Sequence, residues 1–367
     1  MPADSRTLQE EGVVIAPQPL DEATLRELVA RMRQPAERLA DLRAQLAANL
    51  TGCRRLQQLA RRLGLDRMRS ATDAVLDYAE RRTRACLCGL PAGPVHAEDV
   101  LEVPDGDLEL RLAASVREGK LILNFSGSAA QHEGNLNCPL AVTRSACLFA
   151  VRVLTDPELP PSAGAYRPIE VRAPRGSVLN ARPGAAVAAG NVETSSRIVD
   201  VVFAAFAHAL PVPAQGQGTM NNVTLGNERF TYYETIGGGQ GACPDADGPS
   251  AVHVTMSNTL STPSEALELA YPLRVRRHAL RLGSGGDGRQ RGGDGVVREL
   301  EVLEPCRVSI ISERRAHAPA GARGGSPGSR GRNLLNGSEL PAKVTLDVSV
   351  GDVITIETPG GGGFGAP

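Results

Sequence analysis

Between Asp21 and Cys88 the apolar residues recur every three to four positions, the spacing that gathers them on one side of an α-helix. Asp21 suits the cap of a first helix through "EATLRELVARMR", and Pro35 suits the first turn of a second. In that second helix Leu39, Leu42, Leu46, Leu50, Cys53, Leu56 and Leu63 form a stripe that Gly64 ends, and a third helix is predicted over "DAVLDYAERRTRAC". Arginines fill the outer faces, so the stripe reads as a packing seam. From Asp105 the period falls to two. "LELRLAASVREGKLILNFSGS" alternates on both sides of "REGK", as in a hairpin with Leu121, Leu123 and Phe125 on one face. Further strands are predicted over "PIEVRA", "AVHVTMSN", "RVRRHALRL", "VVRELEVLE", "RVSIISER" and "KVTLDVSVGDVITIET". Buried helices are predicted over "TRSACLFAVRVL" and "TSSRIVDVVFAAFAHAL", and the glycine-rich stretches between strands read as loops. The fold class is therefore α+β, with a helical region over 1–103 followed by a β-rich mixed region with Gly-rich loops over 104–367.

Composition sharpens this picture only in places. The 367 residues are 41% hydrophobic and 3% aromatic, with 40 Gly, 26 Pro and no Trp, which calls for a core of aliphatic side chains and many close backbone approaches. A formal net charge of -1 gives no reason to expect nucleic acid or an anionic membrane as partner. The most apolar stretch, from Ile198, carries Asp200 and His208 and is too short to span a bilayer. Seven cysteines, with one C-x-C at Cys86 and Cys88, lack metal-site spacing; buried structural thiols in a reduced cytoplasmic setting are the expectation, with no metal site.

Candidate chemistry concentrates in "GTMNNVTLGNERFTYYETIGGGQGA", from Gly218. Alternation puts Phe230, Tyr232 and Glu234 on one face of a strand and Thr231, Tyr233 and Thr235 on the other. Glu234 is then an acid/base candidate that the Tyr232 hydroxyl can orient. Asn221 and Asn222 each offer a donor and an acceptor to an amide-like ligand. Gly237, Gly238 and Gly239 permit positive φ and an anion-binding nest, although a tight hairpin uses the same residues. His253 and Asn258 lie on opposite faces of a predicted strand. "SGGDGRQRGGDG" supplies Asp287, Arg289, Arg291 and Asp294, of which an arginine can pair with Asp294 structurally; it matches neither a P-loop nor a dinucleotide fingerprint. Its RGG triplet, and a second at Arg323, sit inside strand-forming sequence, unlike disordered RNA-binding repeats. G-x-S-x-G and H-E-x-x-H are absent, so spacing alone leaves a polar, Gly-rich site of open use.

Seven segments in order resemble the hydantoinase B/oxoprolinase family: "DLRAQLAAN", "GNLNCPLAVTRSA", "GNVETSSRIVDVVFAAF", the Gly218 segment, "SGGDGRQRGGDGVVREL", "ISERRAHAPAGARGGSPGSRGRNLL" and "TPGGGGFG". The resemblance implies ATP-driven opening of 5-oxo-L-proline to L-glutamate, in which phosphorylation of the lactam oxygen overcomes amide resonance; N-methylhydantoin is an alternative substrate. It implies an actin-like hydantoinase A polypeptide or domain that holds most of the ATP and Mg2+, an oligomeric assembly, and a lactam site in the B portion. In that site Asn221 and Asn222 would bind the amide and Glu234, with Tyr232 and His253, would act in catalysis. Gly237 to Gly239 would face the phosphorylated oxygen, with Asn258, Asp287, Arg289, Arg291 and Asp294 as further contacts. Asn124 stands where the family has an acidic residue. Met1 resembles a methionine internal to a longer family segment, whose upstream His/Asp-rich stretch would bind a divalent metal; without it, an inactive scaffold piece is the other expectation.

Overall fold

The structure is a computed structural model describing residues 2–91 and 93–367; Met1, on which the expectation about the start of the chain falls, lies outside the described residues. In chain order the helices are α1 (Leu8–Glu11), α2 (Glu22–Val29), α3 (Pro35–Leu63), α4 (Leu65–Leu87), α5 (Leu140–Thr155), α6 (Ala163–Tyr166), α7 (Ser195–Phe206) and α8 (Ser264–Ala270). The strands are β1 (Val95–Leu101), β2 (Leu108–Arg117), β3 (Lys120–Asn124), β4 (Ile169–Arg172), β5 (Asn222–Gly226), β6 (Thr231–Glu234) and β7 (Leu273–Arg281). They continue as β8 (Gly295–Val302), β9 (Cys306–Ile311), β10 (Arg332–Leu335), β11 (Ser338–Leu340), β12 (Lys343–Val348) and β13 (Val353–Glu357).

Two large cores carry this α+β fold. In the first, the sheet β1-β2-β3-β4 packs Leu101, Leu110, Leu112, Leu121 and Leu123 against α5 and α7. Its β2–β3 hairpin turns through Glu118 and Gly119, both at positive φ, as "REGK" predicted. In the second, the antiparallel sheets β11-β10-β13-β8-β7 and β12-β9-β5-β6 share a core of Val223, Leu225, Tyr232, Leu273, Val296, Leu300, Val308, Ile310 and Ile356. Alternation sends Val223, Leu225, Tyr232 and Glu234 inward and leaves the outer face to polar residues.

Three local expectations change. The helical stripe is a real face of α3, but α3 has no buried residue: Leu39, Leu42 and Leu46 are half-buried, and Leu50 and Leu56 are 64% and 56% exposed. α4 buries its own Ala79, Thr83 and Leu87 instead of sealing that face. Residues 251–258 form no strand, because Ala251 and Thr255 take positive φ, and only Val252 bridges to Gly238. The long run from Lys343 splits at Gly351, φ 90°, into β12 and β13, which join different sheets.

The glycine-rich stretches associate with one another. Gly239 N donates to Pro359 O, Gly293 N to Gln240 O, Gly361 N to Gly293 O and Gly363 N to Ser326 O, each at 2.9 Å. Gly237, Gly238 and Gly239 stay out of the positive-φ region, and the amides of Gly238 and Gly239 are taken up by Val252 O and Pro359 O. Their common requirement is room: a Cβ on Gly239 would lie 2.0 Å from Gly293 O, and one on Gly361 2.0 Å from Gln240 O.

Candidate functional site

The π-helical turn Gly190–Thr194 that leads into α7 carries Glu193 into the interior, where it is fully buried. Gly190 makes this path possible, since a Cβ there would lie 2.0 Å from Asn137 O. Wide turns of this kind often mark functional positions. Glu193 Oε1 accepts from Asn222 Nδ2 at 2.7 Å and from Met220 N at 3.3 Å, while Oε2 has no partner. Asn222 Nδ2 also donates to Ile311 O, and its Oδ1 accepts from the Tyr233 hydroxyl at 2.7 Å. A chain of hydrogen bonds thus runs from half-exposed Tyr233 to wholly buried Glu193.

Charges surround this chain. Arg197, 1% exposed, meets Asp200 at 3.0 Å, Glu313 at 3.4 Å and Asp99 at 3.5 Å. Arg314 joins Asp99 and Asp200, both at 2.9 Å, and Lys343 holds Glu313 at 2.5 Å. Arg315 reaches Asn221 Oδ1 and Asn333 Oδ1 at 2.7 Å, and Glu102 accepts the backbone N–H groups of Arg315, Ala316 and His317. The five carboxyl groups Asp99, Glu102, Glu193, Asp200 and Glu313 face the four cations Arg197, Arg314, Arg315 and Lys343. Glu193 forms no salt bridge among the described residues, and protonating it balances the set. Burial, aided by the charge of Glu313, pushes Glu193 up to about 8. Burial likewise pushes Asp200 up to about 7 against the pull of Arg197. Burial, with the neighbouring Glu193, raises Tyr233 to about 12, so its hydroxyl is neutral at physiological pH.

The sign of the Glu193 shift sets a pH dependence. An unfolded glutamate titrates near ~4.3, so the fold holds this proton more tightly than the unfolded chain, and the stability it contributes is full below that value and lost as pH rises through about 8. Urea midpoints measured from pH 5 to 8.5 are expected to fall more shallowly in Glu193→Gln, which mimics the protonated acid. Equal slopes would show that Glu193 is ionised in the folded protein.

The outer face of β12-β9-β5-β6 connects this centre to solvent. Register places Tyr233, Thr224, Ser309 and Thr345 in one row across four strands, with Thr231, Gly226, Arg307 and Asp347 in the next. Apart from Asp347, both rows line a groove of about 880 Å³ whose other wall is the N-terminal segment and the turn between α2 and α3.

Other residues singled out in the sequence lie elsewhere. Asn221, at φ 46°, sits in the centre, donating to Gln217 Oε1 and Ile236 O. Glu234 lies between the two sheets in a two-pronged pair with Arg298, at 3.1 and 3.2 Å, and Tyr232 stacks obliquely on Tyr271 in the same core. His253 bonds Ser257 Oγ, and Asn258 is exposed. Arg291 pairs with buried Asp294 at 3.0 Å, Arg289 donates to Pro244 O, and Asp287 is exposed; with Gly237 to Gly239 they belong to the glycine-rich assembly. The side chains that sequence reasoning missed are Glu193, Arg197, Asp200, Tyr233, Glu313 and Arg315. Arg197 and Asp200, three apart in an otherwise apolar helix, were a readable sign of a buried ion pair.

Comparison with known proteins matches the description "Hydantoinase B/oxoprolinase" over residues 1–367. The chain belongs to the hydantoinase B/oxoprolinase family. It is 39% identical to 5-oxoprolinase 1 of Arabidopsis thaliana over 98% of its own length and 35% identical to 5-oxoprolinase of Saccharomyces cerevisiae over all of it. It spans only 29% and 31% of the length of those relatives. The ATP-dependent caprolactamase of Pseudomonas jessenii shares the fold, with a TM-score of 0.85 at 24% identity over 99% of this chain and 68% of that one. No helix among the described residues is long and apolar enough to cross a membrane.

Proposed function

We propose that this chain is the lactam-handling portion of an ATP-dependent cyclic-amide hydrolase that opens 5-oxo-L-proline to L-glutamate. Family membership and the names of its relatives support the reaction class. The observation that carries the site is the Tyr233–Asn222–Glu193 chain, whose outer end lies in the groove.

In this reading Tyr233 donates its proton to Asn222 Oδ1, so the lone pairs of its oxygen accept the N–H of a cyclic amide in the groove. Asn222 cannot rotate, because Glu193 and Ile311 O hold its amide nitrogen. Glu193, protonated and out of contact with solvent, fixes that arrangement without adding a net charge to the buried set. A preorganised dipole of this kind costs no reorganisation when charge develops on the substrate.

In this proposal a hydantoinase A-like portion holds the nucleotide and its magnesium. Among the described residues no three His, Cys, Asp or Glu side chains are grouped to hold a metal ion, and the amides of Gly238 and Gly239 are bonded to Val252 O and Pro359 O.

Tyr233→Phe is the direct test. Tyr233 is 47% exposed, so the variant is expected to fold, while 5-oxoproline turnover in a reconstituted complex with the hydantoinase A-like partner is expected to fall about 100-fold. Wild-type turnover in Tyr233→Phe would remove the hydroxyl from the site.

A further inference from the structure

Beside α7 lies a cavity of about 370 Å³ that the Tyr233–Asn222–Glu193 chain does not line. Asp200, Phe203, Ala204 and Ala207, spaced at i, i+3, i+4 and i+7, turn one face of α7 to it. Val212, Ala214 and Val254 extend the apolar wall. Two of the lining residues, Thr255 and Arg323, hold the left-handed backbone conformation, both at φ 52°. That conformation is costly for a β-branched threonine, and such positions gather where a fold shapes a ligand site. The Arg323 guanidinium is already engaged: it donates to Ala207 O and His208 O at the end of α7. One carboxylate faces this mostly apolar space. Asp200 is 4% exposed, and its Oδ2 accepts from Arg197 at 3.0 Å and from Arg314 at 2.9 Å. Its Oδ1 has no donor among the described residues, and unlike the unpaired oxygens of Thr231 and Thr255 it is not sealed by the fold, so it opens on the cavity.

Charge and shape together define what this space accepts. A carboxylate oxygen repels an anion. A cation would add positive charge beside Arg197 and Arg314, which already compensate Asp200. A neutral donor meets neither penalty, and a hydrogen bond to an ionised oxygen is the stronger kind. A water on Oδ1 finds few further partners among apolar walls, so a molecule that brings a donor on an apolar body replaces it at a gain. Engineered apolar cavities of ~150 Å³ take up benzene, so this one has room for a six-membered ring. We propose that the cavity beside α7 is a binding site for an uncharged small molecule with an apolar body and one O–H or N–H group, which donates to Asp200 Oδ1. The site is independent of the groove at Tyr233: it approaches the charged centre from α7, and it selects by the absence of charge.

Four probes with one ring separate the parts in ligand-observed NMR titrations of the full chain at pH 8.5, where Asp200 is ionised. Cyclohexanol brings the ring and a neutral donor, cyclohexanone the ring without a donor, cyclohexylammonium a positive charge and cyclohexanecarboxylate a negative one. Cyclohexanol is expected to bind about tenfold more tightly than each of the other three. Two substitutions place the site: Ala204→Phe fills the cavity from α7 and Ala322→Leu from the glycine-rich wall. Neither alanine is buried, so both variants are expected to fold, and circular dichroism checks them. Each is expected to weaken cyclohexanol binding at least tenfold. Failure of cyclohexanol to bind, or an affinity unchanged in both folded variants, overturns the proposal. Cyclohexanone binding as tightly as cyclohexanol removes Asp200 Oδ1 as the acceptor, and either charged probe binding more tightly than cyclohexanol contradicts the selection against charge; each of these results also overturns it.

Discussion

Gly239→Ala and Gly361→Ala are each expected to prevent this chain from reaching its folded state. Neither glycine is needed for positive φ; both are needed because another backbone occupies the place of a side chain. A Cβ at either position would lie 2.0 Å from a carbonyl oxygen, and that oxygen accepts an inter-segment hydrogen bond of its own. A flexible side chain can swing aside, but a bonded backbone moves only with its segment. The expected loss is roughly 4 kcal/mol or more, a large part of the total stability of a domain. Gly337→Ala is the control, since that glycine has nothing within 4 Å, although its φ of 82° makes the exchange mildly unfavourable. Soluble yield and urea midpoints decide the matter. A midpoint near wild type in Gly239→Ala would mean that these segments are not packed as described.

Glu313→Ala is expected to be the most damaging exchange in the charged centre. Glu313 is fully buried; it faces Arg197 and Lys343 and accepts the backbone N–H of Glu102. Its removal leaves buried cations short of negative charge, a situation that costs about 3–5 kcal/mol when one partner of a buried pair is deleted. Urea unfolding at pH 7 measures it. A loss below about 1 kcal/mol would show that Arg197 and Lys343 rebalance on Asp99, Asp200 and Glu102.

Side-chain periodicity made part of this protein readable. The helices around Asp21, Pro35 and Ala79 and the hairpin at "REGK" follow from local spacing, and local spacing survives folding. What α3 does with its leucines depends on which surface covers it, and spacing does not carry that information. The glycine-rich assembly was invisible for a different reason: its contacts join backbone to backbone, so no side-chain pattern records which segments meet. Within the candidate site, Asn221 and Asn222 stood out because each offers a donor and an acceptor to an amide-like ligand. Glu234 and Arg298 are 64 residues apart, so their pairing was hidden, yet each sits on the inward face of its own strand beside Tyr232 or between Val296 and Leu300. Two lone opposite charges on inward faces are a hint of pairing. Glu193 offered no such hint, since its burial depends on a π turn that only the approach of Asn137 to Gly190 explains.

The central claim is that this chain handles a lactam whose opening a separate nucleotide-binding portion drives. The most direct test mixes the purified chain with a hydantoinase A-like polypeptide, supplies ATP, magnesium and L-5-oxoproline, and counts both products. The account predicts L-glutamate and ADP in equal amounts, neither forming at a comparable rate when either polypeptide is left out. L-Glutamate formed by this chain alone, or ADP released by the pair without any opening of the lactam, would contradict it.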